Sequence, residues 1–129
     1  MQLAVFLSRC YTEMPTEESI NLLRIGDAIA YIETSFEKKI ELEDLAQKAH
    51  LSKRHFQRVF QECVGSSPVE HLLRVRIRKA AELLQQTDLP ITEIAFHVGF
   101  NDSNYFSRQF RAIMNQSPRQ YKTRQENIT

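Results

Sequence analysis

The chain has 129 residues, 42% of them hydrophobic and 26% charged, with a formal net charge of +1. That suffices for one domain or two small lobes and excludes wholesale disorder. Three Gly and four Pro argue against a turn-rich β-sandwich, no apolar run approaches the ~20 residues of a membrane span, and two cysteines make no disulfide framework.

Residues 1–11 are mildly apolar and carry Arg9, without the small-residue cleavage pattern of a signal peptide, so the chain reads as cytoplasmic. They predict one short helix, and residues 12–19 a polar linker. Residues 24–36 predict a helix offering Ile25, Ala28, Ile29, Ile32 and Phe36 to the core of the next helices in the chain. Leu42, Leu45, Ala46 and Ala49 then keep helical spacing up to a break at His50-Leu51-Ser52. Ser52 is a good N-cap for a further helix, in which Phe56, Val59, Phe60 and Cys63 form one apolar stripe. Gly65 suits the end of that helix. Ser67-Pro68 opens a long helix, Pro68–Gln86, with Val69, Leu73, Ile77, Ala80, Ala81 and Leu84 as its buried side. Thr87-Asp88-Leu89-Pro90 ends it. Ile91, Ile94, Ala95 and Val98 form another short helix, Gly99 a turn, and Phe106, Phe110 and Ile113 the stripe of a second cap-started helix. Asn115 and then Ser117-Pro118 repeat the earlier stop and start. No strand is predicted. The expected fold is all-α, with about seven helices.

The chain repeats itself. Leu42, Leu45 and Ala46 align with Ile91, Ile94 and Ala95 at an offset of 49; Phe56, Arg58, Phe60 and Ser67-Pro68 align with Phe106, Arg108, Phe110 and Ser117-Pro118 at an offset of 50. The extra residue falls between the two helices of the unit, where a turn belongs. Each copy is a helix, a tight turn and a helix. His50 stands where the second copy has Gly99. A backbone in the left-handed region suits Gly there; His tolerates it better than most other residues, at some strain.

Function belongs on the outward face of the second helix in each copy. The first presents Arg54, Gln57, Arg58 and Gln61; the second presents Asn104, Ser107, Arg108 and Arg111. None of the eight is acidic. Arg, Gln and Asn are the side chains that pair with purine edges in the DNA major groove, which admits a helix. Charge agrees: residues 1–41 carry −3, residues 42–86 carry +3 and residues 87–129 carry +1. The connecting helix adds Arg74 and Arg78 on one face, either as phosphate contacts or as partners of Glu70 and Glu82. Lys53 and the amides near Ser52, Asp102 and Ser103 offer further phosphate contacts, with Asp102 read as a helix cap. Nineteen residues of connector span about 28 Å, near the ~34 Å between successive major grooves on one side of a duplex. His50, His55, His71 and His97 show no metal-ligand spacing, Cys63 reads as a core filler, and no phosphate loop or Ser/His/Asp set is present. No catalytic residue, metal or cofactor is assigned, and no enzyme is expected.

These residues resemble the DNA-binding domain of the AraC/XylS family of bacterial transcription regulators over about residues 24–124. The second copy carries Ile94-Ala95, Val98-Gly99-Phe100, Tyr105-Phe106-Ser107-Arg108-Gln109-Phe110, Ser117-Pro118 and Tyr121. The first carries Leu45-Ala46, Ser52, His55-Phe56, Arg58 and Phe60; the connector carries Arg76 and Ala80-Ala81-Leu83-Leu84. The resemblance implies two helix-turn-helix subdomains, residues 20–67 and 87–129, joined by a linker helix, residues 68–86. It implies base contacts from Arg54, Gln57 and Arg58 and from Ser103, Asn104, Ser107 and Arg108. Phosphate contacts are expected beside them from Ser52, Lys53, Gln61, Arg74, Arg78 and Arg111. The implied partner is double-stranded DNA, at an asymmetric site of two blocks about one helical turn apart, bound by a monomeric domain. RNA polymerase is the further partner that would make the protein an activator. Residues 1–19 then read as the remnant of an N-terminal sensor domain, through which a longer protein would dimerise, or as a helix packed on this domain. The competing expectation is a helix-turn-helix module that binds protein, with little intrinsic sequence specificity.

Overall fold

The computed structural model describes residues 16–128. The predicted helix in residues 1–11 and most of the linker lie outside that span. Seven helices and no strand occur among the described residues: α1 (Glu17–Ser35), α2 (Leu42–Lys48), α3 (Lys53–Val64), α4 (Pro68–Gln86), α5 (Ile91–His97), α6 (Ser103–Met114) and α7 (Pro118–Ile128). They form two compact units. The first holds α1, α2, α3 and the start of α4; the second holds the rest of α4 with α5, α6 and α7. Membership does not follow chain order, because residues 36–39, between α1 and α2, belong with the second unit.

In the first unit α1 packs on both α2 and α3. Its core joins Leu22, Ile25, Ala28 and Ile32 of α1 to Leu45, Ala46 and Ala49 at α2 and to Phe56, Val59 and Phe60 of α3, all buried. The Phe56 and Phe60 rings meet at 5.6 Å, and Phe60 sets its ring against His71 at 5.7 Å. Two expectations from the sequence are corrected in this unit. α1 begins at Glu17, seven residues before the predicted start, because Thr16 and Ser19 cap it reciprocally through side chain and backbone. Cys63 is only half-buried, at the edge of the stripe rather than within it.

In the second unit Ile77, Ala80, Ala81 and Leu84 of α4 pack with Ile94, Ala95, Val98, Phe100, Phe106 and Phe110. Phe36 packs against this cluster, not against the first core to which the helical pattern assigned it. Periodicity reports which side of a helix is apolar, and Phe36 lies one residue past the end of α1, where that rule lapses. Val69, also expected in a core, is 55% exposed. It sits in the first turn of α4, beside the buried Pro68, and Leu72 and Val75 carry the buried stripe instead.

Both tight turns close alike. The amides of His50 and Leu51 donate to the carbonyls of Gln47 and Ala46; those of Gly99 and Phe100 donate to Phe96 and Ala95. This is the Schellman arrangement, with a left-handed residue after the helix. The left-handed residue differs, and so does its geometry. His50 has φ 56°, inside the small region open to ordinary residues, whereas Gly99 has φ 102°, outside it. A Cβ on Gly99 would also stand 2.9 Å from both the Arg76 Nε and the Phe36 carbonyl oxygen. Glycine is required in the second copy on both counts and is dispensable in the first.

Candidate nucleic-acid interface

α3 and α6 are the second helices of the two helix-turn-helix units. Each is fixed by its phenylalanines on one side, which sets its other side toward solvent. On α3, Arg54, Gln57, Arg58 and Gln61 are all exposed. Their i, i+3, i+4, i+7 spacing makes one stripe. On α6, Asn104, Arg108 and Arg111 are exposed, while Ser103 and Ser107 are half-buried. The second stripe therefore offers short hydroxyls close to the backbone between longer polar groups.

The two helices begin differently. Ser52 caps α3 by accepting from the His55 amide at 3.2 Å, which leaves a neutral oxygen at a positive helix end. Asp102 caps α6 by accepting from the Asn104 amide at 2.8 Å and the Tyr105 amide at 3.3 Å. Those amides are occupied, and a carboxylate sits on them. The start of α3 suits an approaching phosphate; the start of α6 opposes one.

Lys53 is not idle in this arrangement. Its Nζ donates to Glu43 Oε1 of α2 at 2.9 Å, with both side chains more than half exposed. The hydrogen bond from Lys53 holds the Glu43 carboxyl below the usual carboxylate range. An exposed pair of this kind is worth little.

On α4, Arg74 and Arg78 are exposed, and Glu82 meets Lys79 at 3.9 Å. Arg76 points elsewhere. Its Nε donates to the Phe36 carbonyl at 2.7 Å and a terminal nitrogen donates to the Lys38 carbonyl at 2.8 Å. Its guanidinium lies 5.8 Å from the centre of the Phe100 ring. Burial lowers the pKa of this guanidinium from its ordinary value, while Glu37 and Tyr105 act in the opposite sense. Arg76 thus straps residues 36–39 onto the second unit. No local signal in the sequence marks Arg76 for this role, because the carbonyls it binds lie 38 and 40 residues away.

α7 completes the second unit. Ser117 and Gln120 cap its start reciprocally at 2.9 and 3.1 Å. Tyr121 sets its ring on Phe110 at 5.6 Å and bonds Gln85 of α4 through its hydroxyl at 2.6 Å.

Among the described residues no group of His, Cys, Asp and Glu is arranged to hold a metal ion, and no helix is long and apolar enough to cross a membrane. What the two units present is hydrogen-bonding and cationic side chains on exposed helix faces.

Comparisons with known proteins agree with this geometry. Residues 45–124 match the family model described as "Helix-turn-helix domain". The chain is 38% identical, over 92% of its length, to the HTH-type transcriptional activator RhaS of Klebsiella pneumoniae, and it spans 42% of the length of that relative. The structure superposes with a TM-score of 0.74 on the C-terminal domain of AraT, a response regulator from Geobacillus stearothermophilus. The two are 37% identical, and the match covers 78% of this chain and 84% of the other. The DNA-binding domain of the transcription factor AdpA, solved in complex with a target DNA, superposes with a TM-score of 0.74 at 28% identity, covering 77% of this chain and 89% of the other.

Proposed function

Since the chain belongs to the AraC-type family of helix-turn-helix DNA-binding transcription regulators, we propose that it reads an asymmetric duplex site through α3 and α6, each in a major groove. The observation that carries this reading is the duplicated, carboxylate-free outer stripe on the second helix of each unit. Arg54, Gln57 and Arg58 read bases in one block; Ser103, Asn104, Ser107 and Arg108 read them in the other. Ser52, Lys53, Gln61, Arg74, Arg78 and Arg111 neutralise phosphates and set the register. Lys53 exchanges Glu43 for a phosphate oxygen as it does so.

The protein acts in the bacterial cytoplasm as an activator, as the RhaS relatives are named, and touches RNA polymerase at the promoter. The domain binds DNA as a monomer.

Selection of sites from a randomised duplex pool at physiological salt tests the reading. Two unlike conserved blocks about 10 base pairs apart are expected. Arg58→Ala and Arg108→Ala should each relax the preference in one block, by about 1–3 kcal/mol. A single block would refute the two-headed reading. Absence of any enrichment would refute specific DNA recognition by this chain and favour a protein partner.

A further inference from the structure

Tyr105 is an exposed aromatic residue that the core does not need and that makes none of the proposed base or phosphate contacts. It stands three residues before Arg108 on α6 and is 38% exposed. The Arg108 guanidinium lies 5.8 Å from the centre of its ring, within cation–π range. The other flank of Tyr105 meets Phe100 at 5.9 Å, with the rings inclined at 55°. Phe100 is buried and sets its edge against Phe106 at 5.2 Å. Arg76, tied to the backbone at Phe36 and Lys38, lies over Phe100. A continuous row of side chains, Arg76, Phe100, Tyr105 and Arg108, therefore runs within the second unit from strapped backbone to recognition face.

We propose that Tyr105 is a positioning residue for sequence recognition: its ring pre-orients the Arg108 guanidinium, and this determines how sharply the second helix discriminates its base. The inference rests on the reading of Arg108 as a base contact. An arginine free to rotate loses rotamer entropy whenever it forms the bidentate pair with guanine, and a stacked arginine has lost part of that freedom before the DNA arrives. The wrong base gains less from this, because it cannot accept both hydrogen bonds. The core does not call for a tyrosine at this position, since Phe100 and Phe106 already fill it and the side chain is partly in water. The device is specific to the second copy. In the first, the positions of Phe100 and Tyr105 hold Leu51 and His55.

The test uses the full chain, the duplex recovered by site selection, and its single-base variants. Arg108→Ala first identifies the base pair at which discrimination collapses. At that pair Tyr105→Leu should reduce the ratio of correct to incorrect affinities by about two- to fivefold, the yield of an exposed cation–π contact. Tyr105→Phe should keep the wild-type ratio, and Tyr105→Leu should cost nothing further once Arg108 is Ala. Tyr105→Leu retains an apolar contact with Phe100, and its melting curve confirms that the fold survives. Loss in Tyr105→Phe equal to that in Tyr105→Leu, spread over all duplexes, would make the hydroxyl a phosphate contact and overturn the proposal. Unchanged discrimination in Tyr105→Leu would overturn it as well. If Arg108→Ala relaxes no position, the base-reading role of Arg108 itself fails, a result separate from either.

Discussion

Replacing Gly99 by Ala perturbs two things at once, and the structure separates them. The first is backbone strain. At φ 102° an L-residue lies beyond the left-handed well, at a cost of roughly 1–3 kcal/mol. The second is the strap. The new Cβ would sit 2.9 Å from the Phe36 carbonyl oxygen, which is backbone, and from the Arg76 Nε, and the two are joined by a 2.7 Å hydrogen bond. Neither yields without weakening that bond, and a hydrogen bond from a charged group contributes about 1.5–3 kcal/mol. Ala also stiffens the unfolded chain, which returns about 0.4–1 kcal/mol. The net loss expected is about 2–5 kcal/mol. Gly65 provides the control. It too has positive φ, 88°, but nothing lies within 4 Å of an added Cβ. Gly65→Ala should therefore show strain alone, and Gly99→Ala should exceed it by about 1.5–3 kcal/mol, the share of the charged hydrogen bond. Urea unfolding followed by circular dichroism measures both. In an Arg76→Ala background the excess should vanish. Equal losses in the two glycine variants, or full additivity of Gly99→Ala with Arg76→Ala, would refute the strap.

Four further outcomes are expected. His50→Gly removes left-handed strain of roughly 1–2 kcal/mol while loosening the unfolded chain by about 0.5–1 kcal/mol, so the melting temperature should rise slightly; a fall would show that the His50 side chain contributes contacts of its own. Phe110→Ala should cost about 3–5 kcal/mol in the second unit, because its buried ring touches both Phe106 and Tyr121; an unchanged melting curve would contradict the placing of Phe110 in the second core. Glu43→Gln should strengthen binding to every duplex alike, most at low salt, by releasing Lys53 and removing a negative charge; a change confined to one sequence would place Glu43 in base recognition instead. The stability gap between wild type and Glu43→Gln should be present at neutral pH, above the ordinary carboxylate pKa, and should close as pH falls through the lowered value of Glu43.

Local chemistry makes much of this fold readable from the order of residues alone. The capping serines at 52, 67 and 117, the stops at Gly65 and Asn115, and the phenylalanine stripes all act within a few residues, and α4 runs over the predicted span. Knowing the apolar side of α3 and α6 is enough to place Arg54, Gln57, Arg58, Asn104 and Arg108 in solvent, but not to show that Ser103 and Ser107 are half-buried. The remaining features depend on partners remote in the chain or on backbone angles, and these emerge only once the chain is folded. Nothing near Arg76 announces that it will bind carbonyls 38 and 40 residues away. Nothing near Phe36 shows that it leaves the apolar side of α1 for the second core. The repeat aligns His50 with Gly99 as though one were a flawed copy of the other. The structure gives the reason for the difference: one turn closes at 56°, where histidine fits, and the other at 102°, against Arg76 and the Phe36 carbonyl, where only a hydrogen does.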